Sequence, residues 1–79
     1  MTQSLKYDAD ADAIYIRLND LPYGFGEDID HERRIDYAES GEPVGIEILC
    51  ASTGVDTRGL PDEDAVRRLA EGNAFRVFA

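Results

Sequence analysis

Apolar residues alternate with polar ones over most of the chain, and the longest nearly uninterrupted apolar run, residues 43–52, lies close to its middle. Val44, Ile46, Ile48 and Cys50 share one side of an extended backbone there, and Gly45, Glu47, Leu49 and Ala51 the other. Apolar groups therefore point both ways, which predicts a central strand covered on both faces. Glu47 interrupts the pattern. A carboxylate between two isoleucines must reach water, an arginine or a functional partner, because an unpaired buried charge is very costly.

Upstream, residues 5–7 begin a short strand, and residues 8–12 carry three aspartates and no apolar bulk, a turn composition. Residues 13–18 are a strand with Ile14, Ile16 and Leu18 toward the core, so a hairpin is expected. Residues 19–26 combine a proline, two glycines and two aromatics, a loop or bulged edge that lays Tyr23 or Phe25 back on the sheet. Alternation returns over residues 27–38. Asp28, Asp30, Glu32, Arg34 and Asp36 share one face, while Ile29, His31, Arg33, Ile35 and Tyr37 share the other. The first face must be wet, either merely solvated or a patch for a basic partner. Residues 39–42 form a polar turn, and Pro43 is tolerated as the first residue of the next strand. The antiparallel return this implies can bring Arg17, Arg33 or Arg34 across from Glu47 as an ion pair.

Beyond residue 52 the period changes. A loop over residues 53–60 leads to Pro61 at the first position of a helix that runs to about Glu71. Asp62, Glu63 and Asp64 suit its positive end, Glu63 with Arg67 and Asp64 with Arg68 are four apart, and Gly72 with Asn73 offers a left-handed stop. Ala65, Val66, Leu69 and Ala70 make a narrow apolar stripe able to cover one sheet surface. Residues 74–79 resume a strand-like pattern and suggest a docked terminus. The expectation is an α+β fold, a single domain over residues 1–79, with a meander-like antiparallel sheet of about four to five strands and one C-terminal helix.

Composition adds limits on function. The 79 residues leave room for one modest core, for which self-association into a homo-oligomer would help. An apolar content of 43% argues against disorder. Eight basic against seventeen acidic residues give a net charge of −9, which disfavours nucleic acid and anionic membrane and suits either a cationic partner or simply solubility. The single cysteine, Cys50, fits a reducing compartment and reads as an inert core thiol. With no stretch of signal-peptide or membrane-span length, a cytoplasmic setting is expected.

Candidate chemistry is sparse. The aspartates at 8, 10 and 12 resemble the opening of a calcium loop, but Ala13 stands where that loop needs glycine and Asn19 where it needs glutamate. His31 is the only histidine, with no second histidine or cysteine at ligand spacing. We expect no metal and no cofactor, and find no catalytic constellation. Glu47 with Asp12 or Asp36 across neighbouring strands is the arrangement an enzyme or ligand site would need.

Two motifs give the chain a likeness. The first is Tyr7-Asp8 followed by residues 11–16; the second is Asp36-Tyr37, Gly41, residues 44–49 and Ala51-Ser52. On these the chain resembles small bacterial proteins of domain of unknown function family 2283. The resemblance implies a small antiparallel sheet with a helix and brings no established activity. It also implies an antitoxin-like or protein-binding role, since such proteins are similar in setting to those encoded beside compact basic toxin-like proteins. The family often has an acidic residue where this chain has Ala38, so a site using that carboxylate would be incomplete here. The leading functional expectation is thus a protein-interaction module binding a small basic protein through Asp28, Asp30, Glu32 and Asp36. The alternatives are a small enzyme or ligand binder using Glu47, and a purely structural homo-oligomeric piece joined at a sheet edge.

Overall fold

The structure is a computed structural model that describes residues 3–78. Two hairpin signals in the sequence become two antiparallel units. Ser4–Asp8 (β1) and Ala13–Arg17 (β2) pair around the aspartate-rich turn, with Tyr7 opposite Ile14 and Leu5 opposite Ile16. Phe25–Asp28 (β3), Arg33–Tyr37 (β4) and Pro43–Leu49 (β5) follow one another as a meander. β5 then lies beside β2, so the five-stranded sheet has the order β1-β2-β5-β4-β3. The central strand of the sequence is thus the central strand of the sheet. Residues 18–24 cross the sheet end from β2 to the far edge, held by Leu18 N–H on the Val44 carbonyl at 2.9 Å and Gly24 N–H on the Tyr37 carbonyl at 2.7 Å.

The remainder of the chain covers one side of this sheet. After a short 3-10 turn at Ala51–Thr53, Val55–Asp56 (β6) and Val77–Phe78 (β7) pair in parallel around the helix Glu63–Gly72 (α1). Ile14, Ile16, Val44, Ile46 and Ile48 come from the sheet, Val55, Leu60, Val66 and Ala70 from the cover, and all are nearly or fully buried. Fully burying an aliphatic side chain stabilises by about 1.5–3 kcal/mol, so this contact is the main source of stability. The Arg33 guanidinium ties the layers together, donating to the backbone carbonyls of Asp56 at 3.2 Å and Arg58 at 2.7 Å and to the Asp30 carboxylate at 2.9 Å.

Several expectations need correction. The helix begins at Glu63 rather than Pro61, because Asp62 takes a left-handed conformation (φ 53°) that a helix cannot pass through. Its left-handed stop falls on Ala74 (φ 67°), not on Gly72 or Asn73; Phe75 N–H reaches the Ala70 carbonyl at 2.9 Å and Ala74 N–H the Glu71 carbonyl at 3.0 Å, a Schellman closure. Asn73 instead caps through its side chain, whose amide donates to the Leu69 carbonyl at 2.8 Å. Glu63 and Arg67 do pair, at 3.2 Å. The loop expected over residues 53–60 contains β6, and the docked terminus is its partner β7; Ala79 lies outside the described residues. Residues 27–38 are two strands and a turn rather than one extended segment. The Asp30 carboxylate accepts the N–H groups of Glu32 at 3.0 Å and Arg33 at 2.9 Å and so turns the chain.

Candidate functional site

One face of the sheet is left open. Both faces of β5 were expected to be covered, but with α1 and its flanks on the Ile46 side, Glu47 and Leu49 on the other side are exposed. The interior of this open face is organised by glycines. Tyr15 of β2 leans across Gly45 of β5, and its hydroxyl donates to Asp36 of β4 at 3.0 Å. A Cβ at Gly45 would collide with the Tyr15 ring and hydroxyl. Arg34 lies over Gly26 of β3 in the same manner, pairing with Asp36 at 3.4 Å and Asp28 at 3.2 Å and approaching the Tyr23 hydroxyl at 3.5 Å. Partial burial, then the bond to Asp36, pushes the Tyr15 phenol up to about 12, so this donor stays protonated throughout the neutral range.

These contacts decide which carboxylates are free. Arg34 is opposite Glu47 in the ladder, yet its guanidinium is directed to Asp28 and Asp36; none of the ion pairs among the described residues involves Glu47. The cross-strand ion pair expected for Glu47 is therefore replaced by solvent. The row Asp28, Asp30, Glu32 and Asp36 is likewise not one strand face. Asp28 and Asp36 lie on neighbouring strands, whereas Asp30 and Glu32 belong to the turn between them. Asp30 is held below the usual carboxylate range, first by the Glu32 N–H and then by Arg33. It braces the turn. Asp36 is similarly occupied by Tyr15 and Arg34. Glu47 and the outward side of Asp28 are left to solvent, and together with Glu32, which meets the Cys50 thiol, they border a shallow concavity of about 600 Å3 that also takes in Ile29, His31 and Leu49. A second hollow of about 740 Å3, on the β1-β2 side, shares Glu47 and Leu49.

Asp12, named with Glu47 as a possible carboxylate pair, is committed elsewhere. It accepts from Ser52 Oγ at 2.6 Å, the Ser52 N–H at 3.0 Å and the Tyr7 hydroxyl at 2.8 Å. The Ser52 hydroxyl first, then Tyr7, hold its carboxyl below the usual range. Asp12 thus latches the β1-β2 turn to the segment after β5. Cys50 is a further correction: it is exposed, in a left-handed conformation (φ 56°), because the chain leaves the sheet at Leu49. A hydrogen bond to the Glu32 carboxylate, followed by the charge of that group, pushes its thiol up, away from thiolate character. His31 sits in the β3-β4 turn, and among the described residues no group of three or more histidine, cysteine, aspartate or glutamate side chains is placed to hold a metal ion. No helix among them is long and apolar enough to cross a membrane. Tyr23 is exposed, and Phe25 stacks on Tyr37 with ring centroids 5.2 Å apart, the inward lean expected of one of those aromatics.

Sequence reasoning missed the bracing of Tyr15, Asp36 and Arg34. The available signal was glycine inside a strand, at positions 26 and 45, which marks a close approach by another group.

A five-stranded antiparallel sheet, covered on one face by its own C-terminal segment and open on the other, defines a small two-layer α+β domain. The family model described as "Protein of unknown function (DUF2283)" matches residues 4–52, and the chain belongs to that family. No curated protein and no solved structure matches the chain. The matched stretch contains β1 to β5 and both bracing arrangements, Tyr15 over Gly45 and Asp12 on Ser52.

Proposed function

We propose that this domain is a protein-interaction module, antitoxin-like in its role, whose open sheet face receives a cationic segment of a small basic protein. The observation that carries this reading is the position of Glu47. A carboxylate in the central strand stands exposed beside exposed Leu49, with Asp28 and Glu32 around the same concavity and the neighbouring Arg34 already turned toward other acids. Lysine or arginine offers both an aliphatic stem for Leu49 and a charge for Glu47. The net charge of −9 steers such a partner and makes association salt-sensitive. A bacterial cytoplasm is the setting this reading assumes, one in which an unpaired cysteine persists.

The enzyme reading has less support, since the carboxylates named beside Glu47 are engaged by Ser52 and Tyr7 or by Tyr15 and Arg34. The test is capture of a basic partner by tagged protein at low salt, repeated with Asp28→Asn, Glu32→Gln and Glu47→Gln combined. These substitutions leave the bracing carboxylates Asp30 and Asp36 in place. Release of a stoichiometric basic protein by salt, and its loss in the variant, is the expected result; equal capture by the folded variant would refute the assignment.

A further inference from the structure

β3 is a sheet edge whose only strand neighbour among the described residues is β4. Glu27 lies opposite Ile35, and Ile29 N–H donates to the Arg33 carbonyl at 2.7 Å, which places the hydrogen-bonded pairs at odd-numbered residues of β3. Gly26 and Asp28 consequently turn their backbone N–H and C=O groups outward. Proteins blunt such edges with lysine, proline, a bulge or a cover, and also with short strands and other charges. Phe-Gly-Glu-Asp has none of the first two, and its register with β4 runs without a shift. It is only four residues long, and its charges are acidic, which repel another acidic chain but not a cationic one. The other edge, β1, carries Lys6 at its centre and contacts α1.

Building on the interaction reading above, we infer that β3 accepts an extended segment of the cationic partner as an additional antiparallel strand. Main-chain hydrogen bonds to Gly26 and Asp28 supply the affinity in such strand addition, and alternate side chains supply the selectivity. The period of two then fixes the chemistry of the segment. Its side chains on the open face come beside Asp28, at the rim of the concavity that Glu47 borders two strands further in, so these are lysines or arginines. Those on the other face come beside Phe25, which is 42% exposed and already stacked on Tyr37, and exposed Ile29, with Glu27 between them, so these are mainly apolar or aromatic. A second copy of the chain is a poor occupant. Self-pairing through Gly26 and Asp28 centres on Glu27, setting it opposite its own copy and joining two chains of charge −9.

The geometry also predicts which partner amides matter. In an antiparallel addition the residues opposite Gly26 and Asp28 share their face and exchange hydrogen bonds with them, so the basic residues of the segment donate the amides. The experiment titrates isotope-labelled full-length protein, at low salt, with the capped peptide Lys-Val-Lys-Phe-Lys-Val-Lys. Two further peptides carry backbone N-methyl groups, one on its lysines and one on its valines and phenylalanine. Methylating the lysine amides should weaken binding tenfold or more, and methylating the others less than threefold. The Gly26 and Asp28 amides should exchange more slowly with solvent when the unmodified peptide is bound. Equal weakening by both modifications, or binding without slowed exchange at these two amides, overturns the strand addition while leaving the cationic reading intact. Failure of all three peptides to bind overturns both.

Discussion

Gly45→Ala is the substitution that tests the architecture of the open face most directly. The added methyl falls where the Tyr15 hydroxyl and ring lie, so the ring must swing away and release Asp36. Two losses add: roughly 1–3 kcal/mol for forcing extra volume into an occupied place, and about 1 kcal/mol for the hydrogen bond. Against them stands about 0.5–1 kcal/mol from replacing a strand glycine by alanine. The net expectation is a destabilisation of about 1–3 kcal/mol, or some 5–20 °C in Tm at about 4–8 °C per kcal/mol for a domain of this size. In a Tyr15→Ala background the obstacle is gone, and the same change should be neutral or stabilising by up to about 1 kcal/mol. The double-mutant cycle therefore predicts a coupling of about 2–4 kcal/mol between residues 15 and 45, read from urea unfolding followed by circular dichroism. An equal penalty for Gly45→Ala in both backgrounds, within about 0.5 kcal/mol, would refute the claim that Tyr15 is the reason for glycine at this position.

Other consequences follow from the same contacts. Because the Tyr15 phenol is raised in the folded state to about 12, its contribution to stability is complete below about pH 10 and is lost as pH climbs toward 12. Allowing for solvent screening of this partly exposed group, the loss is on the order of 1 kcal/mol, and Tyr15→Phe should flatten that limb of the stability profile. The Asp12 carboxyl is lowered, so the sign reverses: its contribution is present above the ordinary aspartate range near ~3.9 and disappears on acidification, and Asp12→Asn should remove part of the fall in Tm between pH 5 and 2. Ala74→Gly should stabilise by about 0.5–1 kcal/mol in thermal melts, since the left-handed closure of α1 is conformationally costly for alanine. Arg33→Ala should destabilise by about 2–3 kcal/mol in urea, because the Asp56 and Arg58 carbonyls lose their donor at the junction of the two layers.

The strands were legible because the sheet has one strongly apolar face. Ile14, Ile16, Ile46 and Ile48 announce their side by period two and meet in register. The β3-β4 turn was hidden for a geometric reason. Asp28 pairs with Arg34, so even-numbered residues stay on the same face through the turn, and the alternation runs from one strand into the next without a break. The only mark was Asp30 at a turn position, with no glycine or proline to reinforce it. Cys50 misled in a related way, since it continues the parity of Ile46 and Ile48 beyond the residue where the strand ends. The uncovered face was legible in principle: one helix of ten residues can cover only one surface of a five-stranded sheet. That Asp12 and Asp36 are spent on bracing depends on contacts between residues 21 to 40 positions apart, beyond the reach of local spacing.

The division of the chain bears on how a partner would engage it. Residues 4–52, the stretch shared with the family, build the entire sheet together with the latches that fix its turns. The sheet's apolar face is then covered in cis by Val55, Leu60, Val66 and Ala70, from the segment that follows. With that face satisfied, a partner is not required to complete the core. What the sheet still offers is a polar face around Glu47 and an unpaired edge at β3, where contacts are charged and backbone-mediated rather than broadly apolar. Exposed charge pairs each contribute about 0.2–1 kcal/mol and are screened by salt, so binding there must draw on several contacts at once and should be reversible. The folded domain should accordingly unfold at the same urea midpoint with and without a few hundred millimolar salt to within the small screening effects, while its association with a cationic partner collapses over that range. A partner whose removal unfolded the domain would contradict this division and would mean that the apolar face, not the open one, is the functional surface.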